Sequence, residues 1–409
     1  MTNDQIPMTN SCKAISFVGH WCLVIGHFCF MHITAIETFP VRVPLKPAYR
    51  MISALGRHDE SQFVLVKLMT DTGLEGAGEA TATVRWSGET VWGVQALIDR
   101  VLAPLIIGLD LDPENALTSI TALDRRMDTA VQHNWFAKSA IEMACWDVLG
   151  KAAGKPIYDL LGGACRPLAI PSRFSLGAYD VPRARARAAE LVAEGFTTVK
   201  VKVGGKADDD IARVRAVREV IGFDRKLVID ANCGWDADTA ISCIKQLADC
   251  RIDLVEQPTP DGDYAAIARV RRECGLPVMA DDMCFNLVHA RELIRNQACD
   301  LISVYPGKNG GIRKSREIGL AAGQHGVGCT IGSNLEFDIA TAAMGHLIVA
   351  TENLQVEMWP GDIHGPAYYE TRLVKHPLAI VGPITTITDK PSHGVEVDWN
   401  LARSLRIIN

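Results

Sequence analysis

The stretch TTVKVKVGG, residues 197–205, decides the fold. Its alternation predicts a β-strand that carries Thr198, Lys200 and Lys202 on one face and three valines on the other. A lysine pair on a strand is often only a solvated edge. The valine face, however, indicates a buried strand, so both ammonium groups are expected to point into one polar site.

Strands of the same kind recur downstream of about residue 168, and helical patterns lie between them. The units repeat at roughly 25 residues, a period typical of repeated strand–helix units. This number of units favours a parallel barrel of the α/β class over an open sheet. The predicted strands are AIPSRFSL, TVKVKV, KLVIDAN, DLVEQP, PVMADD, DLISVYP, GCTIGS and LQVEMW.

An α+β module is predicted before the barrel. Two strands, a turn-rich stretch and helices follow one another in residues 32–44, 62–70, 71–80 and 90–160. The clearest helix places Ile141, Ala144, Cys145 and Val148 on one face and is expected to end at Gly162 and Gly163. The tail after about residue 370 is predicted to leave the barrel.

Residues 1–30 form a separate segment, most of which is apolar (AISFVGHWCLVIGHFCFM, residues 14–31). The length suits a signal sequence and is short for a membrane span. His20 and His27 interrupt the segment, and no small-residue cleavage site follows it. A mis-called translation start or a disordered leader is therefore favoured over an export signal, and Met31 is expected to open the first strand.

The composition argues against several classes of function. The chain has 409 residues, of which 48% are hydrophobic and 22% charged, as expected of a globular protein with two domains. A formal net charge of −6 without long blocks of one sign argues against a nucleic-acid or anionic-membrane partner. The 12 cysteines form no CxxC pair and no cluster with histidine, so reduced thiols in a cytoplasmic protein are expected.

Carboxylates follow three consecutive predicted strands. Asp230, Glu256 and Asp281 would meet at one mouth of a barrel, the end at which such barrels carry out chemistry. Converging carboxylates repel one another in a low-dielectric site, and a divalent cation relieves the repulsion. Oxygen ligands without histidine or cysteine indicate Mg²⁺, with Mn²⁺ as the alternative. Such a metal would stabilise the enolate of a carboxylate substrate.

Lys202 is the predicted acid–base residue at this mouth. A lysine beside a cation and a second lysine releases its proton more readily, and Lys200 would tune it and hold the substrate. Each polar residue alone has a structural explanation, such as a turn or a helix cap, but together they indicate one site. The predicted substrate-binding residues are Thr198, Asn232, Glu336, Glu357 and Trp86.

Over residues 32–385 the chain resembles the enolase superfamily, in its muconate-lactonizing (muconate cycloisomerase) and mandelate racemase-like group. The matching stretches are AIEMACWDVLGKAAGKPIYDLLGG, the T-x-K-x-K strand, DAN at Asp230, EQP at Glu256, MAD at Asp281 and KNGG at Lys308. The resemblance implies a modified (β/α)7β barrel of TIM type under an α+β capping domain. It places the N-terminal part of the cap at residues 31–165, the catalytic barrel at 166–370, and a tail returning to the cap at 371–409.

The resemblance also carries functional expectations. Mg²⁺ would be bound by Asp230, Glu256 and Asp281, with a lysine acting as base beside the metal-stabilised ene-diolate. Cap loops at about 45–60 and 80–90 would close over a small carboxylate substrate, and the chain would be a homo-oligomer. Glu357 resembles the acid at the last strand of the cycloisomerases.

Departures from the family pattern bear on the activity. The family's second catalytic lysine falls at position 305, where this chain has Tyr305, and Asp282 stands where a glutamate is usual. No His–Asp dyad of the mandelate racemase type is evident. The leading expectation is an isomerase of the muconate cycloisomerase type in which Tyr305 is also catalytic. The alternatives are a syn-dehydratase (a lyase) of a small hydroxy acid, a racemase or epimerase, and an inactive ligand-binding relative.

Overall fold

The computed structural model describes residues 30–407, so the predicted leader lies, except for Phe30, outside the described residues. The strands are β1 Met31–Pro44, β2 Met51–Ser53, β3 Gly56–His58, β4 Glu60–Thr70, β5 Glu75–Ala82, β6 Asp110–Leu111, β7 Ala169–Pro171, β8 Phe174–Leu176, β9 Thr198–Lys202, β10 Lys226–Asp230, β11 Leu254–Glu256, β12 Val278–Ala280, β13 Leu301–Val304, β14 Gly328–Ile331, β15 Ala379–Val381 and β16 Ile384–Thr386.

The helices lie in the cap, between the barrel strands and at the C-terminus. They are α1 Val84–Ser87, α2 Val91–Leu97, α3 Ala103–Ile106, α4 Ala116–Ala130, α5 Trp135–Ala153, α6 Ile157–Leu160, α7 Val181–Ala193, α8 Ala207–Ile221, α9 Ala237–Gln246, α10 Tyr264–Cys274, α11 Leu287–Arg295, α12 Pro306–Asn309, α13 Ile312–Gly323, α14 Asp338–Val349 and α15 Trp399–Ser404. Among those of residues 30–407, none combines the length and apolarity needed to cross a bilayer.

The cap is an antiparallel sheet covered by α5. The strand order is β5-β4-β1-β6, and β1 pairs with β4 along almost its whole length. Every residue of α5 from Phe136 to Gly150 is buried, so the predicted single apolar face describes only part of this core helix. The helix ends at Ala153, where Gly154 adopts a left-handed conformation, and the predicted end at Gly162 and Gly163 is therefore wrong.

Strand β5 replaces most of the turn predicted at residues 71–80. Its glycines permit a close approach to α5: a Cβ on Gly78 would lie 1.8 Å from the carbonyl oxygen of Ala140, and one on Gly76 would lie 2.1 Å from that of Ala144. These glycines therefore serve strand–helix packing, and the turn is confined to the residues before Glu75.

Seven parallel strands form the barrel wall in the order β14-β13-β12-β11-β10-β9-β8, with helices between them, which confirms the predicted barrel under a cap. Isolated parallel bridges Cys329↔Leu354 and Ser172↔Gly361 join the segment 354–361 to both edges of the sheet. The predicted strand LQVEMW is wrong beyond Leu354, because turns follow it at residues 356–358.

The C-terminal tail returns to the cap, as predicted. Strand β16 pairs with β15 on one side and with β7 on the other, and helix α15 packs on β1, where the rings of Phe39 and Trp399 are 5.0 Å apart between centroids. The N–H of Ile407 donates to the carbonyl of Pro40, which extends this contact to the end of the described chain. The domain boundaries near residues 165 and 370 stay predictions.

Candidate active site

A cavity of about 490 Å³ lies between the carboxyl ends of the barrel strands and two segments of the cap. The cap contributes residues between Met51 and Gln62 and between Ala82 and Trp86, which matches the positions predicted for the covering loops. The polar residues that the barrel contributes are Arg173, Ser175, Lys200, Lys202, Asn232, Asp281, Asp282, Tyr305, Ser333, Asn334, Asp362 and His364.

The strand register brings the predicted lysines and carboxylates to one level. In the parallel ladder Lys202 pairs with Asp230, and Asp230 pairs with Glu256, so three strand ends are abreast. Asp281 follows directly after β12, the next strand in the sheet. The alternation of β9 directs Lys200 and Lys202 to the same face, two residues apart along the strand.

Lys202 lies at the top of β9 and lines the cavity. Its Nζ is 2.6 Å from Asp230 Oδ2 and 2.7 Å from Asn232 Oδ1. An ammonium has three N–H donors, so one remains for a ligand. Asn232 has a positive φ of 42°, an uncommon conformation for a residue other than glycine and one that occurs at sites where the backbone must aim a side chain.

Lys200 lies deeper and is surrounded by carboxylates. Its Nζ is 2.7 Å from Asp362 Oδ2, 3.0 Å from Glu256 Oε1 and 3.1 Å from Asp230 Oδ2. Burial and the neighbouring Arg173 oppose the charge, but the three carboxylates outweigh them and raise the pKa of Lys200 above its ordinary value. Lys200 is therefore a permanent cation in the floor of the cavity.

Arg173 and Asp362 belong to the same network, although the sequence analysis did not single them out. Arg173 Nη2 is 2.7 Å from Glu256 Oε2 and 2.8 Å from Asp362 Oδ2, and Ser175 Oγ donates to Asp362 Oδ1 at 2.9 Å. Burial alone would raise the pKa of Asp362, but Arg173 and Lys200 hold it well below its usual range. Alternation of Arg173 and Ser175 in the predicted strand AIPSRFSL, like that of the lysines on β9, was the available signal for Arg173.

Each of the three predicted metal ligands forms an ion pair with a lysine in this structure. Asp230 contacts Lys202 and Glu256 contacts Lys200, while Asp281 Oδ1 is 2.6 Å from Lys308 Nζ. Within residues 30–407, no three histidine, cysteine or acidic side chains are already arranged to hold a metal ion.

The chemistry of this donor set nevertheless fits a hard divalent cation. Carboxylates outnumber basic groups here by one: Asp230, Glu256, Asp281, Asp282 and Asp362 stand against Arg173, Lys200, Lys202 and Lys308. Burial, reinforced by the neighbouring carboxylates, raises the pKa of Glu256 to about 8 in spite of Arg173 and Lys200, and it raises that of Asp282 to about 7. Excess negative charge on oxygen ligands is what Mg²⁺ or Mn²⁺ neutralises.

Tyr305 and Trp86 form an aromatic wall of the cavity. Their rings are stacked, with centroids 5.8 Å apart and planes 16° apart, and the edge of Phe136 and the tilted ring of Phe285 also contact Trp86. Burial, followed by Asp281 and three other carboxylates, raises the pKa of Tyr305 well above its usual value. The structure therefore places a neutral phenol at the end of β13.

Of the remaining predicted substrate-binding residues, some line the cavity and others are buried away from it. Asn232 and Trp86 line the cavity, whereas Thr198 is buried at the start of β9, roughly 13 Å along the strand from Lys202. Glu336 is buried behind the cavity wall, where it accepts hydrogen bonds from Ser333 Oγ and the N–H of Asn334. Burial raises the pKa of Glu336 to about 7, and its contacts support the loop that lines the cavity.

Glu357 does not reach the cavity. Its side chain is 59% exposed, and its carboxylate is 3.3 Å from Arg166 on the outside of the barrel. The expected acid at the last strand is corrected accordingly: the turn after Leu354 directs Glu357 outward, and Asp362, five residues later, enters the site.

Comparisons with known proteins agree with this architecture. Residues 33–162 match the family described as mandelate racemase / muconate lactonizing enzyme, N-terminal domain, and residues 183–401 match the family described as enolase C-terminal domain-like. The hydrophobic dipeptide epimerase of Enterococcus faecalis is 35% identical over 326 residues, which are 79% of this chain and 89% of the relative.

Two solved structures illustrate the range of activities. The dipeptide epimerase of Enterococcus faecalis, complexed with Mg and the dipeptide L-Leu-L-Tyr, has a TM-score of 0.83 at 32% identity and covers 89% of this chain and 99% of its own. The muconate lactonizing enzyme of Pseudomonas fluorescens, complexed with muconolactone, has a TM-score of 0.85 at 29% identity and covers 92% of this chain and 99% of its own.

A parallel barrel under a two-part cap, with lysines and carboxylates at the strand ends, defines the enolase type of barrel enzyme. The chain belongs to the enolase superfamily, in its mandelate racemase / muconate lactonizing enzyme group. The relatives in this group include epimerases, a racemase and cycloisomerases, so an isomerase activity fits the chain while the kind of isomerisation is left open by the comparisons.

Proposed function

We propose that this chain is an isomerase of the muconate cycloisomerase type, in which Lys202 transfers one proton on one face of an enolate. The observation that carries the proposal is Tyr305, a neutral phenol at the strand end that faces Lys202 across the barrel. Strands β9 and β13 are separated by three strands in the sheet, which places their ends on opposite sides of the cavity.

Racemisation through an enolate needs a proton-transfer group on each face, because one group removes the proton and another returns it from the opposite side. A phenol has a reference pKa of about 10 and is a poor base at neutral pH. The surroundings of Tyr305 raise its pKa further, so its hydroxyl can donate a hydrogen bond but does not accept a proton from carbon. The geometry therefore favours chemistry that uses Lys202 alone.

Lys308, one helical turn after Tyr305, does not supply the second base. Its side chain is 0% exposed, and its Nζ donates to Asp281 Oδ1 at 2.6 Å, to Asp281 O at 2.9 Å and to Ser303 O at 2.7 Å. All three ammonium donors are used, and the ring of Tyr305 lies 4.8 Å from the nitrogen. Lys308 instead fixes the carboxylate of Asp281.

Mg²⁺ would be held by Asp230, Glu256 and Asp281, and the excess of carboxylates over basic groups around them is the reason. When bound, the metal supplies Lewis-acid stabilisation of the developing enolate oxygens. Lys200, as a buried cation beside these ligands, contributes a fixed positive charge to the same region. The Enterococcus faecalis relative is complexed with Mg, which supports this part of the proposal.

The proposed reaction balances with one proton transfer. An oxygen of one substrate carboxylate attacks the far carbon–carbon double bond and forms the carbon–oxygen bond of a lactone. The π electrons of the attacked double bond move toward the other carboxylate and generate its enolate. Lys202 then delivers a proton to the adjacent carbon, and the electron pair of the enolate forms the new carbon–hydrogen bond.

A syn-dehydratase of a small hydroxy acid is the second candidate. The polar groups of Ser53, Ser333 and Asn334 line the cavity, and such groups suit a hydroxylated substrate. Lys202 would remove the proton next to the carboxylate and return it to the hydroxyl that leaves from the same face, so that water is released. The cytoplasmic location and the homo-oligomeric state expected from the sequence are further proposals.

Turnover of cis,cis-muconate, followed by loss of its ultraviolet absorbance, tests the proposal against a panel of sugar-derived and amino-acid-derived hydroxy acids. Muconate turnover that deposits one deuterium in D₂O, on a single face, is the expected result. Turnover of a hydroxy acid with release of water would favour the dehydratase. Interconversion of both enantiomers of an α-substituted acid would contradict one-face chemistry, and no turnover of any acid would indicate an inactive ligand-binding relative.

A further inference from the structure

The part of the cavity formed by the cap carries more positive charge than its own acidic residues neutralise. Arg57 and Arg50 share one carboxylate, Asp59, at 2.6 and 3.9 Å. Glu60, which also lines the cavity, is 3.2 Å from Arg42. The acidic groups of this segment are therefore already engaged by arginines.

Arg85 adds a further positive charge to this region without a carboxylate partner. It lines the cavity on α1, and its Nη1 donates to the carbonyl of Leu55 at 2.9 Å. Within residues 30–407 it forms no ion pair, and the guanidinium has five N–H donors, of which this hydrogen bond uses one. Arg85 thus has N–H donors left for a ligand in the cavity.

The backbone at Gly56 makes room for this guanidinium. Gly56 has a φ of 106°, and a Cβ there would lie 2.0 Å from Arg85 Nη1. The side chain of Arg85 is exposed, and its hydrogen bond to Leu55 together with the close approach of Gly56 brings the guanidinium against the other cap segment. An arginine without a carboxylate partner is suited to bidentate recognition of a carboxylate.

We infer that Arg85 is a specificity-determining residue that binds a second carboxylate of the substrate, so that the substrate is a dicarboxylate. The first carboxylate would lie at the floor, near Lys200 and the metal ligands, and the second under the cap near Arg85. This inference rests on the proposed function, because it assumes that the cavity binds an acid for enolate chemistry.

Binding of a non-reacting diacid tests the inference without turnover. Adipate and its monoamide differ only in one carboxylate, and their dissociation constants are measured by calorimetry on the full chain with Mg²⁺ present. The wild-type protein is expected to bind adipate about tenfold more tightly or better, as one charge-assisted hydrogen-bonded contact would give. The ratio of the two dissociation constants, monoamide over adipate, should fall near one in Arg85→Leu, and Arg85→Lys should restore part of the wild-type ratio.

The ratio separates recognition from a merely structural role. If Arg85 only joined the two cap segments through Leu55 and Gly56, its removal would weaken adipate and the monoamide equally and leave the ratio unchanged. Arg272→Leu, an exposed position on α10 outside the cavity, is the matched control and should keep the wild-type ratio. A wild-type ratio near one, or an unchanged ratio in Arg85→Leu, would overturn the inference.

Failure of the proposed function gives a different pattern. If muconate is not turned over but the adipate ratio depends on Arg85, then dicarboxylate recognition stands and the cycloisomerase assignment falls. If muconate is turned over on one face and the ratio does not depend on Arg85, then the chemistry stands and the role of Arg85 falls.

Discussion

Replacing Tyr305 with lysine should convert one-face proton transfer into two-face proton transfer. The variant places an amine at the end of β13, across the cavity from Lys202. Muconolactone has two hydrogens on the carbon next to its carboxylate. The wild-type protein is expected to exchange only one of them with D₂O, on the side of Lys202, whereas Tyr305→Lys should exchange both.

The size of the effect follows from the surroundings of position 305. A positioned acid–base group contributes about 10²–10⁴-fold in rate, which is about 3–5 kcal/mol of barrier. Loss of the stack with Trp86 removes about 0.5–1.5 kcal/mol of stability. Burial disfavours a lysine ammonium at this position, and the nearby carboxylates, with Asp281 first among them, offset only part of that cost, so a net loss of about 1–3 kcal/mol is expected when the lost stack is included.

The assay is proton NMR of muconolactone in D₂O, with Tyr305→Met as a matched control that removes the phenol without adding a base. Thermal unfolding and adipate binding confirm that each variant is folded and binds ligand. The second hydrogen should exchange at least 10²-fold faster in Tyr305→Lys than in Tyr305→Met. If the folded lysine variant exchanges only one hydrogen, position 305 does not face the second side of the substrate and the reasoning is refuted.

Three further changes probe other parts of the molecule. Lys202→Ala should lower kcat about 10²–10⁴-fold in steady-state assays, and an equal, mild loss in Lys202→Ala and Lys200→Ala would indicate simple electrostatic anchoring. EDTA should abolish turnover, and Asp281→Ala should weaken Mn²⁺ binding measured by electron paramagnetic resonance; turnover that survives EDTA would disprove the metal assignment. Gly78→Ala should lower the free energy of unfolding in urea by about 1–3 kcal/mol because its Cβ would collide with Ala140, whereas Gly205→Ala, which meets only ordinary contacts, should cost less.

The parts of the fold that the sequence predicts well are those with a strong local period. Alternation in β9 and the strand–helix repeat after it predict the barrel, and they also bring Lys202, Asp230 and Glu256 to adjacent strand ends. The predicted turn at residues 71–80 fails for a physical reason. Glycines at Gly76 and Gly78 serve a close contact with a helix that lies about 60 residues away in the chain, and local propensity does not reveal such a contact.

The site residues that were missed depend on tertiary closure. Asp362 enters the site only because the segment after Leu354 turns outward and then returns beside Ser172. Glu357 was the nearer match in the sequence, but register along an irregular segment is not fixed by alternation. Arg173, which directly precedes β8, was available from alternation in the predicted strand AIPSRFSL, yet its role becomes visible only where Glu256 and Asp362 converge on it.

The two lysines of β9 explain how one strand can serve two purposes. They share a face but lie about 7 Å apart along the strand, because two residues separate them. Lys200, the deeper one, is enclosed by three carboxylates that keep it charged, so it cannot exchange a proton with the substrate. Lys202 has only one carboxylate and one amide oxygen, and it lines the cavity with a donor to spare. Depth along a single strand therefore supports the proposal that Lys200 supplies a fixed positive charge and that Lys202 transfers the proton.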